Sequence, residues 1–473
     1  MNERVKKYKE GMLISMASND LSNGDQKTKN DERERVNKQK VALKQDSLTG
    51  SPSTSCPTFE EHNKVFDNEG SLISVTLDSL IELLIPSRSY SFEQSYIFAI
   101  LLNIRIFISP PDLLQKILQQ CVFKQNANGA NFTKEGRTRT FHEIYKLCLE
   151  WTQNIPYDFR NRKMQQPPRE RDGHLDRAER FERALANITA SMGQVLNIDD
   201  NNYKGLMEIC PNPTILARQM TLIELERLNM IGPDEIVYAA MDDDAKKRYG
   251  NCMNNIRYYI DWSNRLTYLT ATEIVRCSKK QCRVHTIEYF IDVAKECINI
   301  GNFNSFMAIV SALSLPLITR LKKTWNRVEK SKLEILRHQF DPTANFVSYR
   351  STLKAAIWRF NSARNESDAI IIPFFGLLMK DLSLLHRQCA QLLPNGHINF
   401  KMFCQFGSEV SNFVKWKNRK CLFERDTRTL HQLLLSRTLT EKQLIKLSYN
   451  CEMAEQTAEK ELYRRLKNDN DAQ

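Results

Sequence analysis

Glycine and proline are scarce: the 473-residue chain holds 15 of each. With leucine, lysine and glutamate abundant, that weighs against sheet and for helix. No Asn-Gly turn lies between alternating apolar runs, so hairpin strands are not expected. No CxxC pair occurs among the 12 scattered cysteines. Cys277 and Cys282 have four residues between them, and no His/Cys pair at zinc-ligand spacing follows. Reduced thiols are expected, not a metal site or disulfide framework. No apolar run is long enough to span a bilayer; the longest, around Tyr96–Ser109, contains Asn103 and Arg105. There is no apolar signal core, no prenylation cysteine and no glycine after the first Met. There is also no phosphate-binding Gly-rich loop, G-x-S-x-G elbow, H-E-x-x-H pair, kinase signature, repeat or low-complexity tract. Covalent chemistry is therefore poorly supported, and no cofactor is called for.

What is present is a helical, globular composition. Hydrophobic residues make up 41% and aromatics 9%, enough for a sizeable core. A net charge of +12 is compatible with nucleic acid, an anionic membrane surface or an acidic protein. The chain lacks a basic helix interleaved with aromatics, so nucleic acid is set aside. The expectation is a soluble, cytoplasmic, all-α protein that binds another macromolecule, with the basic tail a candidate for recruitment to membranes.

Residues 1–65 are rich in Lys, Arg, Glu, Asp, Asn and Ser, as a disordered, solvated tail would be. Residues 66–200 read as a first helical region and linker. Thr76 can cap a helix bearing Leu77, Leu80, Ile81 and Leu84, and Ser91 through Gln94 spell a capping box. The run after it is apolar nearly all round and so buried. Ser109-Pro110-Pro111-Asp112 joins a cap to proline in the first turn. Arg105 reads as a partnered structural arginine. The basic stretch over 158–180 fits a linker. Residues 205–460 form a larger helical region, with apolar helices over 256–275, 285–300, 303–315 and 352–360. Residues 461–473 form a short tail.

One stretch, 370–387, organises the larger region. Pro373 suits the opening of a helix. Phe374, Leu378, Leu382 and Leu385 fall on one face, with Leu377 beside them. A turn follows at Pro394-Asn395-Gly396-His397, and Asn399 can cap a second helix carrying Phe400, Phe403, Val410, Phe413 and Val414. The pattern is a helical hairpin.

The run Ala217-Arg218-Gln219-Met220-Thr221-Leu222-Ile223-Glu224 resembles the opening of the catalytic domain of Ras-type guanine-nucleotide exchange factors. Trp262, Asn264, Leu266 and Glu273-Ile274-Val275 are similar to its next helix, and Asn302-Phe303-Asn304 through Ala308–Leu313 to its most recognisable one. Arg320–Trp325 and Ile372-Pro373-Phe374-Phe375-Gly376 with Lys380-Asp381-Leu382 follow in the family's order. Residues 70–120 resemble the N-terminal exchanger-motif domain that accompanies it. The turn Leu393–Phe400 and Phe423-Glu424-Arg425-Asp426 resemble the subfamily called RasGEF-domain family member one.

This resemblance implies two helical domains, the larger an orthogonal bundle with a protruding hairpin. It implies a Ras- or Rap-like small GTPase as partner and exchange of its nucleotide without bond chemistry. The hairpin pushes one switch segment aside while an apolar pocket grips the other. Carried over, GTPase binding falls to Ile260, Asp261, Met307, Ser311, Ser314, Phe346 and Phe374, and the hairpin tip to Lys380, Ser383 and Arg387. The chain departs from the family in four places. Ser314 stands for an Asn, Phe346 for a Tyr or another aromatic, Asp261 for a basic residue, and Arg387-Gln388 for a Glu-Gly pair. A cation at 387 attracts phosphate and so favours retention of nucleotide. Together with Ser314, that motivates the alternative: a GTPase-binding scaffold with weak or no exchange activity.

Overall fold

In the computed structural model, polar caps and prolines start several of the helices, as at Thr76 and Asn399. Thr76 Oγ1 accepts from Ser79 N at 3.4 Å and opens α1 (Leu77–Leu83). Helix α2 (Gln94–Asn103) runs into a 3-10 turn, Ile104–Ile106. Pro110 and Pro111 begin α3 (Pro110–Ala127), whose Asp112 N donates to Ser109 Oγ. Helix α4 (Lys134–Asn154) and a 3-10 turn, Pro156–Arg160, follow. The structure describes residues 63–68, 71–85, 94–127, 134–160, 204–241, 254–364, 369–455 and most of 457–465. Nearly all of the sequence-predicted tail over 1–65, the start of the capping box at Ser91 and most of the basic linker lie outside these. The described residues belong to one unit, Asn63–Gln473.

The larger region begins with a short α5 (Leu206–Ile209). Asn212 caps α6 (Pro213–Asn229) with Pro213 in its first turn. Helices α7 (Pro233–Ala240), α8 (Asn254–Arg276) and α9 (Lys280–Ile300) follow. Gly301 ends α9 with φ +98°, and a Cβ there would sit 2.0 Å from the Ile370 carbonyl oxygen. Only glycine fits both demands. Then come α10 (Phe303–Leu313), short α11 (Pro316–Thr319) and α12 (Lys322–Trp325), α13 (Lys330–Phe340) and α14 (Thr343–Ser362). The hairpin is α15 (Phe375–Ala390) and α16 (Phe400–Lys417). Helices α17 (Thr427–Leu435) and α18 (Glu441–Cys451) follow, with further helical residues between 457 and 465.

Two apolar cores result. The first gathers α6, α8, α9 and α10 around Met220, Trp262, Phe290, Phe306 and Ile309. The second gathers α1–α4, α7 and the hairpin around Trp151, Phe375, Leu382, Phe403, Phe406 and Phe413. Helix α16 lies against α2, and the backbones come close: a Cβ on Gly407 would sit 2.6 Å from Ala99 Cβ. Asn103 Nδ2 donates to the Phe403 carbonyl at 3.3 Å. The elements before residue 160 thus grip the hairpin from behind.

Among the described residues a small sheet forms from β1 (Lys64–Phe66), β2 (Leu72–Val75) and β3 (Ile398–Asn399). Strand β2 lies between the others, both antiparallel to it, with Ser74 opposite Asn399 and Val75 opposite Ile398. The hairpin's turn is therefore stitched to the N-terminal elements. Ser74 Oγ and His397 Nδ1, both on buried residues, are 3.3 Å apart.

Arg105 is structural, as its setting in an apolar run implied. Its guanidinium forms a two-pronged pair with Asp158, both bonds 3.0 Å, and donates to the Leu101 and Leu102 carbonyls. Asp158 also accepts from Trp151 Nε1 at 2.7 Å. Both charged side chains are under 10% exposed. Asp158→Ala leaves a buried cation without its anion, so a loss of about 3–5 kcal/mol is expected. The midpoint of denaturant unfolding measures it.

Candidate functional site

The root of the hairpin is built by aromatic rings. Phe374 is half-buried, and its ring lies 6.2 Å from Phe346 and 6.4 Å from Tyr349, edge-on to both. Tyr349 in turn packs edge-on against Phe303 at 5.6 Å, and Phe375 against Tyr259 at 5.0 Å. Such edge-to-face pairs favour one mutual orientation over others.

Pro373 does not open the helix itself. It is buried ahead of Phe374, which takes the cap position with extended backbone and has no side chain able to cap. The first amides are held from outside the helix. Phe374 N donates to the Tyr349 hydroxyl at 2.9 Å, and Phe375 N to Asn304 Oδ1 at 3.3 Å. Just before them, Ile372 pairs with the α9–α10 junction through Ile372 N to Gly301 O and Phe303 N to Ile372 O, each 2.9 Å.

Phe346 reaches Phe374 through an unusual backbone. Ala344, Asn345 and Phe346 all have left-handed φ, between +48° and +60°. Each such non-glycine residue costs roughly 1–2 kcal/mol. The turn is held by Arg350, whose Nε donates to the Asn345 carbonyl at 2.8 Å while its guanidinium pairs with Asp381 of α15 at 2.8 Å. One arginine thereby ties the strained turn to the hairpin, in the manner of strain retained where surrounding contacts over-determine it.

The other sequence-predicted residues fall into two groups. Met307 is buried in the first core with Phe346, and Phe374 packs against that core. Ile260 and Asp261 are exposed on α8. Ser311 is half-buried on α10, and Ser314, exposed, ends that helix with its N–H on the Val310 and Ser311 carbonyls. Lys380 and Arg387 are exposed on one face of α15, with exposed Leu384 between them. The Ser383 hydroxyl donates to the Met379 carbonyl at 2.8 Å, and Arg387 Nε donates to the Ser383 carbonyl at 3.4 Å.

Beneath the root lies a polar cluster to which the sequence reading gave no role. Glu224 is fully buried. It accepts from the Tyr259 hydroxyl at 2.8 Å, from Asn304 Nδ2 at 3.2 Å and from the Ser305 hydroxyl. Burial pushes its carboxyl up to about 7 against the pull of those donors. Tyr349, Asn304 and Glu224 all stand inside or near quoted motifs; a polar side chain within an apolar helical run is the signal that could have found them.

A second buried glutamate, Glu235, accepts from Asn255 Nδ2 and Ile256 N at the start of α8. Burial raises it to about 7, and neighbouring Asp234 adds to the rise. A carboxyl raised in the folded state contributes stability below about pH 4.5 that is lost as pH climbs through 7. Glu235→Gln is therefore expected to gain stability relative to the parent between pH 5 and pH 8, by roughly 1–3 kcal/mol. Parallel urea titrations at the two pH values check it.

Among the described residues there is no group of three or more His, Cys, Asp or Glu able to hold a metal, and no helix long and apolar enough to cross a membrane. The described cysteines are free thiols.

The class of protein comes from comparison with known sequences, and the helical fold agrees with it. The family model of the RasGEF domain matches residues 215–404, and that of the RasGEF N-terminal motif matches residues 71–169. The chain is 37% identical over 440 residues to Ras-GEF domain-containing family member 1B-A of Danio rerio, covering 86% of each. It is 37% identical over 436 residues to family member 1B of Homo sapiens, covering 85% of this chain and 92% of that one. With family member 1C of Mus musculus the identity is also 37%, over 89% of this chain and 96% of the relative. The chain belongs to the Ras-GEF domain-containing family.

Proposed function

We propose that this chain is a guanine-nucleotide exchange factor that accelerates GDP release from a Ras- or Rap-like small GTPase by setting the α15–α16 hairpin against its switch segments. The observation that carries the reading is the aromatic root: Phe374 between Phe346 and Tyr349, directly before the helix bearing Lys380, Ser383 and Arg387. A nucleotide held at about 1 pM lies roughly 16 kcal/mol below its free state. A protein releases it by binding the nucleotide-free GTPase more tightly, and the coupling runs both ways. Phe374 would grip one switch, backed by the buried Phe346 and Met307, with Ile260, Asp261, Ser311 and Ser314 around it. The exposed face of α15 would displace the other. In this reading residues 66–200 brace the catalytic region 205–460, and the protein works in the cytoplasm with recruitment to membranes. The test is complex formation between the full chain and a nucleotide-free Ras-like GTPase on gel filtration. A complex dissolved by added GDP or GTP is expected; no complex with any panel member sinks the reading.

A second reading, a GTPase-binding scaffold with weak exchange, is favoured by the hairpin's chemistry. Arg387 is exposed and cationic, and the Ser383 hydroxyl is spent on its own helix. The cation favours keeping phosphate in place. Arg387→Glu is expected to raise the GDP-release rate, on the order of tenfold for about 1.4 kcal/mol. A fall instead would give this arginine a productive contact of its own.

A further inference from the structure

The helix that opens the hairpin has no cap of its own. Its first two amides rest on side chains from α14 and α10, and one of those side chains is held by a buried carboxylate. Asn304 Nδ2 donates both to Glu224 at 3.2 Å and to Ser263 Oγ at 2.8 Å. With its amide hydrogens so engaged, its carbonyl oxygen faces Phe375 N at 3.3 Å. Turning the amide over would aim two hydrogens at the Phe375 N–H and its oxygen at a carboxylate, leaving donors and acceptors unpaired in a dry site.

We propose that Glu224 is a positioning residue for the hairpin: its carboxylate orients the Asn304 amide, and the amide fixes where α15 begins. The proposal rests on the exchange reading above. Three donors converge on Glu224 from α8 and α10, namely the Tyr259 hydroxyl, Asn304 and Ser305. A carboxylate can accept all three because it carries acceptors alone. The same cluster reaches the main chain ahead of α15. Asn302 donates to Thr221 Oγ1 and Ser305 Oγ at 3.1 Å each, and the residues on either side of Asn302 bond to Ile372. The root is thus held at 372, 374 and 375, and Glu224 lies under the last of these contacts. Glu224 is fully buried, so it acts through Asn304.

A glutamine at 224 can keep its oxygen toward Tyr259 and Asn304 and turn its NH2 to the Ser305 oxygen, which can accept. A leucine at 224 offers nothing. The test compares full-length Glu224→Gln, Glu224→Leu and Asn304→Ala with the parent in two assays. Hydrogen exchange by mass spectrometry reads the amides of 374–382 without any GTPase. Release of a fluorescent GDP analogue over a range of GTPase concentrations separates kcat from KM. In Glu224→Leu and Asn304→Ala the 374–382 amides are expected to exchange about tenfold faster, with α9 and α16 unchanged. Their kcat should fall about tenfold while KM moves less than about twofold. Glu224→Gln should match the parent in both assays.

Uniform loosening of every helix in the leucine and alanine variants, or 374–382 amides that exchange as in the parent, would overturn the proposal. So would a Glu224→Gln variant as impaired as Glu224→Leu. If Glu224→Leu does not fold, Asn304→Ala and Glu224→Gln decide the matter alone. A parent chain that releases GDP from no GTPase refutes the exchange reading, while the amide data still decide the role of Glu224 at the root.

Discussion

Phe374→Ala is expected to abolish acceleration of GDP release while leaving helix content by circular dichroism intact. The ring is only half-buried in the free chain, so truncation leaves most of the fold's packing in place. It removes the one aromatic that both Phe346 and Tyr349 face edge-on. An anchor of this kind is worth at least about 2 kcal/mol to a complex, or roughly 30-fold in rate or affinity. The larger loss follows if the hairpin also shifts. Exchange at the parent rate in this variant would place the GTPase contact elsewhere.

Removing everything before residue 204 is expected to have an even wider effect. The elements up to residue 160 supply Leu80, Ile100, Leu101 and Trp151 to the core in which Phe403, Phe406 and Phe413 are buried. They also supply the strand that pairs with Val75's partner Ile398. A fragment of 204–465 would expose this face of the hairpin. Each fully buried Phe or Leu side chain uncovered costs about 1.5–3 kcal/mol. The predicted outcome is rapid hydrogen exchange through α15 and α16 and loss of nucleotide release, with α8–α10 still protected. A fragment as active as the full chain would show that the N-terminal elements are dispensable for the hairpin. Gly407→Val probes the same contact more gently, since its side chain must displace Ala99.

Much of this architecture was legible in the residues. Thr76 and Asn399 cap the helices at which their hydroxyl or amide stands before an apolar run. Arg105 finds its partner because an arginine in an apolar run requires one. The pairing of Ile398–Asn399 with β2 was not legible. A two-residue strand carries no alternation, and its partner is more than 300 residues away in sequence. The left-handed turn at Ala344–Phe346 was hidden for the opposite reason. No glycine marks it, and it is held by the Arg350 bond to Asn345, the Arg350–Asp381 pair and the packing of Phe346 against Phe374. Pro373 misled because its fixed φ suits a first turn, yet the helix begins two residues on. The missing cap is supplied by Tyr349 and Asn304, which no local pattern connects to the hairpin.

The candidate site divides in the same way. Phe346 and Phe374 do meet, and Lys380 and Arg387 do share a helix face. What spacing could not supply is depth. Met307 is sealed in the core while Ile260 and Ser314 lie at the surface. The polar layer beneath, from Glu224 to Phe375, comes only from three-dimensional packing.

The most direct measurement is the release of a fluorescent GDP analogue from a panel of Ras-like GTPases in the presence of the full-length protein and excess unlabelled nucleotide. Acceleration on at least one panel member, lost in Phe374→Ala and raised in Arg387→Glu, is the predicted result. Tight binding to the nucleotide-free GTPase with no acceleration in either the parent or Arg387→Glu would contradict it.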